Sequence, residues 1–167
     1  MEKIIDGFLR ITGAGTPGIL LTVLLEIPLF FISFNLAWGK ININSEVALV
    51  TGLLFLLSFL ILTLWSLMAL PFEKRGRVLV KNGPYRWIRH PSYFAKIFLL
   101  LPGLAIIFHT WLPIASLPLV MIIWTRAVEK EEKELAATFE EEYLKYQQTT
   151  GKFFPKVFKL KRTDEKS

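Results

Sequence analysis

The chain has 167 residues, of which 53% are hydrophobic, and a net charge of +6; its mean hydropathy is positive. That is more apolar material than one small soluble core hides, so a bilayer is its natural place, and the 14 Phe and 5 Trp suit such a setting. Without cysteine there is no disulfide, thiolate metal site or Cys nucleophile, and His90 and His109, the two histidines, have no acidic spacing resembling a ligand set, so no metal is predicted.

The first apolar run covers about residues 19–38 and the second about 47–70, each reaching the roughly 20 residues that a helix needs to cross the hydrocarbon core. The first starts too late and runs too long for a signal peptide. Glu26 within it is costly at such depth; it reads either as a functional group or, preferred here, as a carboxyl near an interface or protonated and bonded to a neighbouring helix.

Next comes the loop from Pro71 to Pro91, with Lys74, Arg75, Arg77, Lys81, Arg86 and Arg89 against Glu73 alone. The basic residues sit beside apolar spans, which reads as cytoplasmic membrane-flank charge and excludes a nucleic-acid surface. Counting outward from this loop places both termini in the cytoplasm.

Two shorter apolar runs follow, about 92–108 and 111–125, interrupted by Pro102, Gly103, Pro113 and Pro118. They predict a third and fourth span or a tilted helical hairpin, since irregular backbone is tolerated at depth where neighbours satisfy it. Lys96 is expected to snorkel to the cytoplasmic interface, with an anionic lipid or donor carboxylate as its alternative partner. His109 and Trp111 mark the outer interface.

After Trp124 a charged helix runs on into water. Glu132, Leu135, Phe139, Tyr143 and Tyr146 recur at three- and four-residue steps and so are expected on one face. Gly151 and Pro155 stop it. The basic, Phe-containing tail from Lys152 to Arg162 should lie against anionic headgroups. No second domain is visible, so residues 1–167 read as one all-α, multi-pass membrane domain of about four membrane-embedded helices, with a cytoplasmic region at about 72–93 and 126–155.

Taken alone, Arg89-His90-Pro91 reads as a helix start with proline in the first turn and basic residues facing headgroups. The second half of the pattern shifts that reading: beyond one apolar hairpin, which returns the chain to the side it left, comes Glu131-Glu132 with the Tyr143 series. Gly83-Pro84-Tyr85, Arg89-His90-Pro91-Ser92-Tyr93, Glu131-Glu132 and the Leu135, Phe139, Tyr143, Tyr146 series together resemble the isoprenylcysteine carboxyl methyltransferase family and the related phospholipid methyltransferases. The resemblance covers about Arg77 to Pro155; Ala95 stands where the phospholipid enzymes usually carry glycine.

The resemblance implies S-adenosylmethionine as methyl donor, bound at the cytoplasmic face beneath the C-terminal helix. By position it implies cofactor contacts from Arg77, Val78, Leu79, Val80, Tyr85, His90, Pro91, Ser92, Tyr93 and Glu131; the chemistry of the acceptor makes Arg89, His90, Arg126 and Glu132 the candidate catalytic residues. The acceptor would be lipid-like, either a prenylated cysteine carboxylate or a phospholipid amine. A carboxylate is already nucleophilic and needs a cation such as Arg89 or Arg126 to hold it; a protonated amine needs a base such as Glu132 or His90. Residues for both are present. Two rival readings are an NADPH-dependent sterol-type reductase, which is similar in this region, and a non-catalytic lipid-binding membrane protein.

Overall fold

The computed structural model describes residues 15–75 and 77–156; the N-terminal stretch, Gly76 and the tail residues Phe158, Lys159, Lys161 and Arg162 lie outside the described residues. Helix α1 spans Thr16–Asn35, α2 Ser45–Ala69, α3 Pro91–Ile107, α4 Leu112–Ala115 and α5 Leu117–Thr149. Among the described residues the fold is all-helical, with two isolated bridges and no strand.

Each boundary has a local cause. Pro17 sits in the first turn of α1, where its missing N–H costs nothing. The Asn44 side chain accepts hydrogen bonds from the N–H groups of Glu46 (2.8 Å) and Val47 (3.2 Å), so α2 begins two residues ahead of the apolar run. Leu70, ahead of Pro71, has left the helical region (φ −131°, ψ 82°), as the proline ring requires of its predecessor.

Helices α1 and α2 are long and apolar enough to cross a membrane, yet only 17% and 11% of their most apolar windows are buried within the protein. Leu24, Phe31, Leu54, Ile61 and Met68 all face outward. Core helices of a soluble protein would hide such side chains, so the exposed apolar belt marks a membrane protein.

The packing is close where small residues allow it. Gly52 on α2 and Gly103 on α3 face each other: a Cβ on Gly103 would sit 2.9 Å from Phe55 Cβ and 3.3 Å from the Gly52 carbonyl oxygen. Such glycine contacts bring backbones together without a hydrophobic driving force in lipid. α1 instead leans on α5, with Trp124 Nε1 donating to Thr22 Oγ1 at 3.0 Å. Ser116 donates to Glu26 Oε1 at 2.5 Å, so the buried carboxyl is bonded to the start of a neighbouring helix.

Helix α3 contains one widened π turn, Lys96–Leu100, directly before Pro102. Proline removes an N–H and crowds the carbonyl four residues earlier, and the wider turn relieves that crowding. At the far end, Trp111 Nε1 donates to the Trp38 carbonyl at 2.7 Å and the two indoles lie 6.0 Å apart, an aromatic pair suited to a membrane interface.

Two predicted features change. The run at 111–125 is not one span, because the short α4 and the α5 start at Leu117 divide it. Nor is α5 continuous: Glu140 has φ 42° and ψ −124°, and the chain reverses there. Gln147 thus comes to 3.4 Å from Glu132 Oε2, whereas a straight helix would hold positions 15 apart at about 22 Å. Glu132 and Leu135 therefore lie on an outgoing limb and Tyr143 and Tyr146 on a returning one, not on one face of a single helix.

Candidate active site

Three pieces of chain meet where the loop after α2 enters α3. Gly83, with φ +56°, allows the tight turn through Pro84 and Tyr85. Arg89 N–H then donates to the Gly151 carbonyl at 2.8 Å and His90 N–H to the Lys152 carbonyl at 3.1 Å. The C-terminal strap thereby fixes the segment that carries both side chains. Gly151 is required by close approach, since a Cβ there would overlap the Phe154 carbonyl.

Buried between these pieces is an ion-pair network. Arg89 Nε and Nη2 each lie 2.8 Å from Glu132 Oε1, and Arg89 Nη1 donates to the carbonyls of Gln147 and Thr150. His90 Nε2 is 3.1 Å from the same Glu132 oxygen, and Lys152 Nζ is 3.4 Å from Oε2. Burial alone would push the Glu132 carboxyl up, but the bonds from His90 and Arg89 and the guanidinium charge outweigh it and hold the group at about 2. At that value Glu132 is a poor proton acceptor near neutrality.

Glu131 points the other way. Its Oε2 accepts from Tyr93 Oη at 2.9 Å, its Oε1 lies 4.0 Å from His90 Nδ1, and its side chain keeps 30% of its exposure. The Tyr93 ring stacks on the His90 imidazole at 5.6 Å and 5°, and Phe153 flanks that imidazole at 6.2 Å. Tyr146 donates to the Tyr85 carbonyl at 2.6 Å.

These groups border a cavity of about 550 Å³, within the range of small-molecule sites. Leu70, Leu79, Val80 and Leu135 give it apolar walls, and Glu131, His90 and Tyr143 its polar points. Tyr143 is fully buried beside Arg89, yet its hydroxyl makes no well-formed hydrogen bond among the described residues. Burial pushes the Tyr143 and Tyr146 hydroxyls up, and Tyr85 up to about 12, so all three stay protonated donors near neutrality.

Of the residues singled out in the sequence, Val78, Leu79, Val80, Tyr85, Arg89, His90, Ser92, Tyr93 and Glu131 line the cavity. Glu132 stands behind it in the ion-pair network, and Pro91 is buried in the first turn of α3. Arg77 and Arg126 are exposed and off the lining. Arg75, Glu134 and Thr138 also line the cavity. In the sequence Arg75 looked like one more membrane-flank charge, and only the fold distinguishes it from its neighbours. No group of three or more His, Asp or Glu suited to a metal occurs among the described residues.

The chain matches the model of the isoprenylcysteine carboxyl methyltransferase (ICMT) family over residues 47–137. It is also similar to the protein-S-isoprenylcysteine O-methyltransferase of Saccharomyces cerevisiae, 30% identical over 86 residues. That stretch is 50% of this chain and 35% of the yeast protein, so the chain spans well under two thirds of this relative. No solved structure matches.

Proposed function

This chain belongs to the isoprenylcysteine carboxyl methyltransferase family, and from that premise we propose that it transfers a methyl group from S-adenosylmethionine to the carboxylate of a prenylated cysteine. The observation that carries the proposal is the meeting of Tyr93 and Glu131, 2.9 Å apart, at the wall of one cavity bordered by both halves of the sequence pattern.

The cavity suits the donor. Its partly exposed Glu131 carboxylate offers an anion for an α-amino group, the Tyr143 hydroxyl beside Arg89 and His90 Nδ1 offer polar contacts, and Leu79, Val80 and Leu135 offer a wall for adenine. When bound, S-adenosylmethionine supplies an electrophilic methyl on a sulfonium.

The residues then position and shield. In-line displacement by a carboxylate requires no base and no covalent nucleophile, which accords with a Glu132 that is ionised and already bonded. Arg89, with Nε, Nη1 and Nη2 all engaged, and Glu132 act through His90 by fixing its ring against Tyr93. Apolar walls limit water around the reacting atoms.

Membrane placement follows the same reading. α1 and α2 cross the bilayer, and α3 runs from the cytoplasmic side towards the outer α1–α2 connection, where the Ile41 N–H donates to the His109 carbonyl at 2.8 Å. α3, at 17 residues or about 25 Å, is short of the roughly 30 Å core. The basic loop before α3 and both termini face the cytoplasm. A lipid-like acceptor would come laterally between the helices.

The test is transfer of labelled methyl from S-adenosylmethionine by the purified protein to N-acetyl-S-farnesylcysteine, with total membrane lipid in parallel. Label in the farnesylcysteine ester supports the proposal. Label in phospholipid alone, or binding of NADPH without S-adenosylmethionine, overturns it.

A further inference from the structure

The donor proposed above ends in an α-amino acid, whose ammonium and carboxylate hang on one carbon. Glu131 answers the ammonium, and the carboxylate is best matched by a cation inside the same cavity. Among the described residues two arginines line that cavity, Arg75 and Arg89. Arg89 spends Nε and Nη2 on Glu132 and Nη1 on the carbonyls of Gln147 and Thr150, so its guanidinium is built into the wall.

Arg75 stands differently. It is half-buried between the end of α2 and Val78, and its charge acts on the hydroxyls of both Tyr85 and Tyr93. Glu131 acts on the same two hydroxyls and accepts from Tyr93 Oη at 2.9 Å. A cation and an anion therefore bracket one pair of phenols on the cavity wall. Tyr93 is a fixed reference between them. Its ring stacks on His90, and the start of α1 backs it so closely that a Cβ on Gly15 would sit 2.8 Å from its Oη.

The acceptor's carboxylate matches this wall less well. A prenylated cysteine at a chain end has an amide nitrogen beside its carboxylate and brings nothing cationic to Glu131. An α-amino acid meets both charges at once.

We infer that Arg75 and Glu131 form a two-point clamp for the amino-acid end of the methyl donor, with Arg75 taking the α-carboxylate and Glu131 the α-ammonium. The inference rests on the methyltransferase reading above. Arg75 is a positioning residue, because fixing both charges on one carbon sets the rotation of the donor's side chain and so the direction of its methyl. The guanidinium fork can hold a carboxylate by two parallel bonds, which an ammonium cannot.

The experiment titrates S-adenosylmethionine and its decarboxylated form, which keeps the amine, sulfonium and adenosine, into each protein by calorimetry. The proteins are wild type, Arg75→Met, Arg75→Lys and Lys74→Met, the last removing an equal charge from an exposed neighbour. Wild type should prefer the carboxylated donor by at least about tenfold. Arg75→Met should bind S-adenosylmethionine about 10- to 100-fold more weakly but the decarboxylated form within about threefold of wild type, so the preference collapses. Arg75→Lys should keep part of it, and Lys74→Met all of it. Equal losses for both ligands in Arg75→Met would assign the arginine to the fold, and an unchanged preference would place the carboxylate elsewhere. Either result overturns the inference while the methyltransferase reading stands, as does a preference lost equally in Lys74→Met. A wild type that binds neither ligand overturns the underlying reading first, and the inference with it.

Discussion

Arg89 and Glu132 are joined across 43 positions of sequence by two contacts of 2.8 Å, with 6% and 8% of their side chains exposed. This pair pins the beginning of α3 to the outgoing limb of α5, and through the Gln147 and Thr150 carbonyls it also holds the returning limb. His90 is oriented by the same carboxylate.

Breaking the pair from one side leaves a buried charge without its partner. Glu132→Gln or Arg89→Met should destabilise the fold by roughly 3 kcal/mol, whereas Arg89→Met combined with Glu132→Leu should recover part of the loss. Thermal unfolding in detergent checks this, and additive losses in the double variant would contradict it.

The pair also fixes how acid acts. Glu132 has a folded pKa of about 2, below its ordinary 4.5, so its stabilisation is fully present above 4.5 and is lost as pH falls towards 2. The unfolding midpoint should decline across that window. In Glu132→Gln the decline should be shallower, and an identical acid profile in both proteins would count against the assignment.

At the cavity wall, Glu131 contributes little to packing and much to charge. Glu131→Ala should weaken S-adenosylmethionine binding by about 10- to 100-fold, while Tyr93→Phe, which removes only the hydrogen bond to Glu131, should weaken it by less than tenfold. Calorimetric titration measures both.

Tyr143 offers a contrasting outcome. Since its buried hydroxyl lacks a well-formed bond in the protein, Tyr143→Phe should leave stability within about 1 kcal/mol of wild type or raise it, yet reduce donor affinity by about 3- to 10-fold. A destabilised variant with unchanged affinity would mean that the hydroxyl serves the fold instead.

The glycine contact between α2 and α3 predicts steric sensitivity far from the cavity. Gly103→Leu would drive a side chain into Phe55 and should cost roughly 1–3 kcal/mol. Circular dichroism melts compare it with Ala105→Gly, which frees space at a buried helical position.

Much of the site was legible because it is locally encoded. Gly83-Pro84-Tyr85 and the run from Arg89 to Tyr93 form a turn and a proline-initiated helix by short-range rules, and they do border the cavity. For Glu26 the sequence left open a carboxyl near an interface or one protonated and bonded to a neighbouring helix, and the structure has it accept from Ser116 at the start of α5. Arg126 and Arg75 were indistinguishable by charge alone, but the fold leaves Arg126 outside the cavity and puts Arg75 on its wall.

Sequence by itself determined the apolar helices, their approximate bounds, the membrane setting and the family, because hydrophobic run length, proline position and motif spacing act within a few residues of the chain. Only the tertiary structure decided that α5 turns back at Glu140, and therefore that Tyr143 and Tyr146, on the returning limb, line the same cavity as Glu131 on the outgoing one. It also decided that Glu132 is committed to Arg89 and His90 while Glu131, its neighbour, faces the cavity. Adjacent carboxylates have the same chemistry in a sequence; which one is buried with a guanidinium depends on contacts made across dozens of residues.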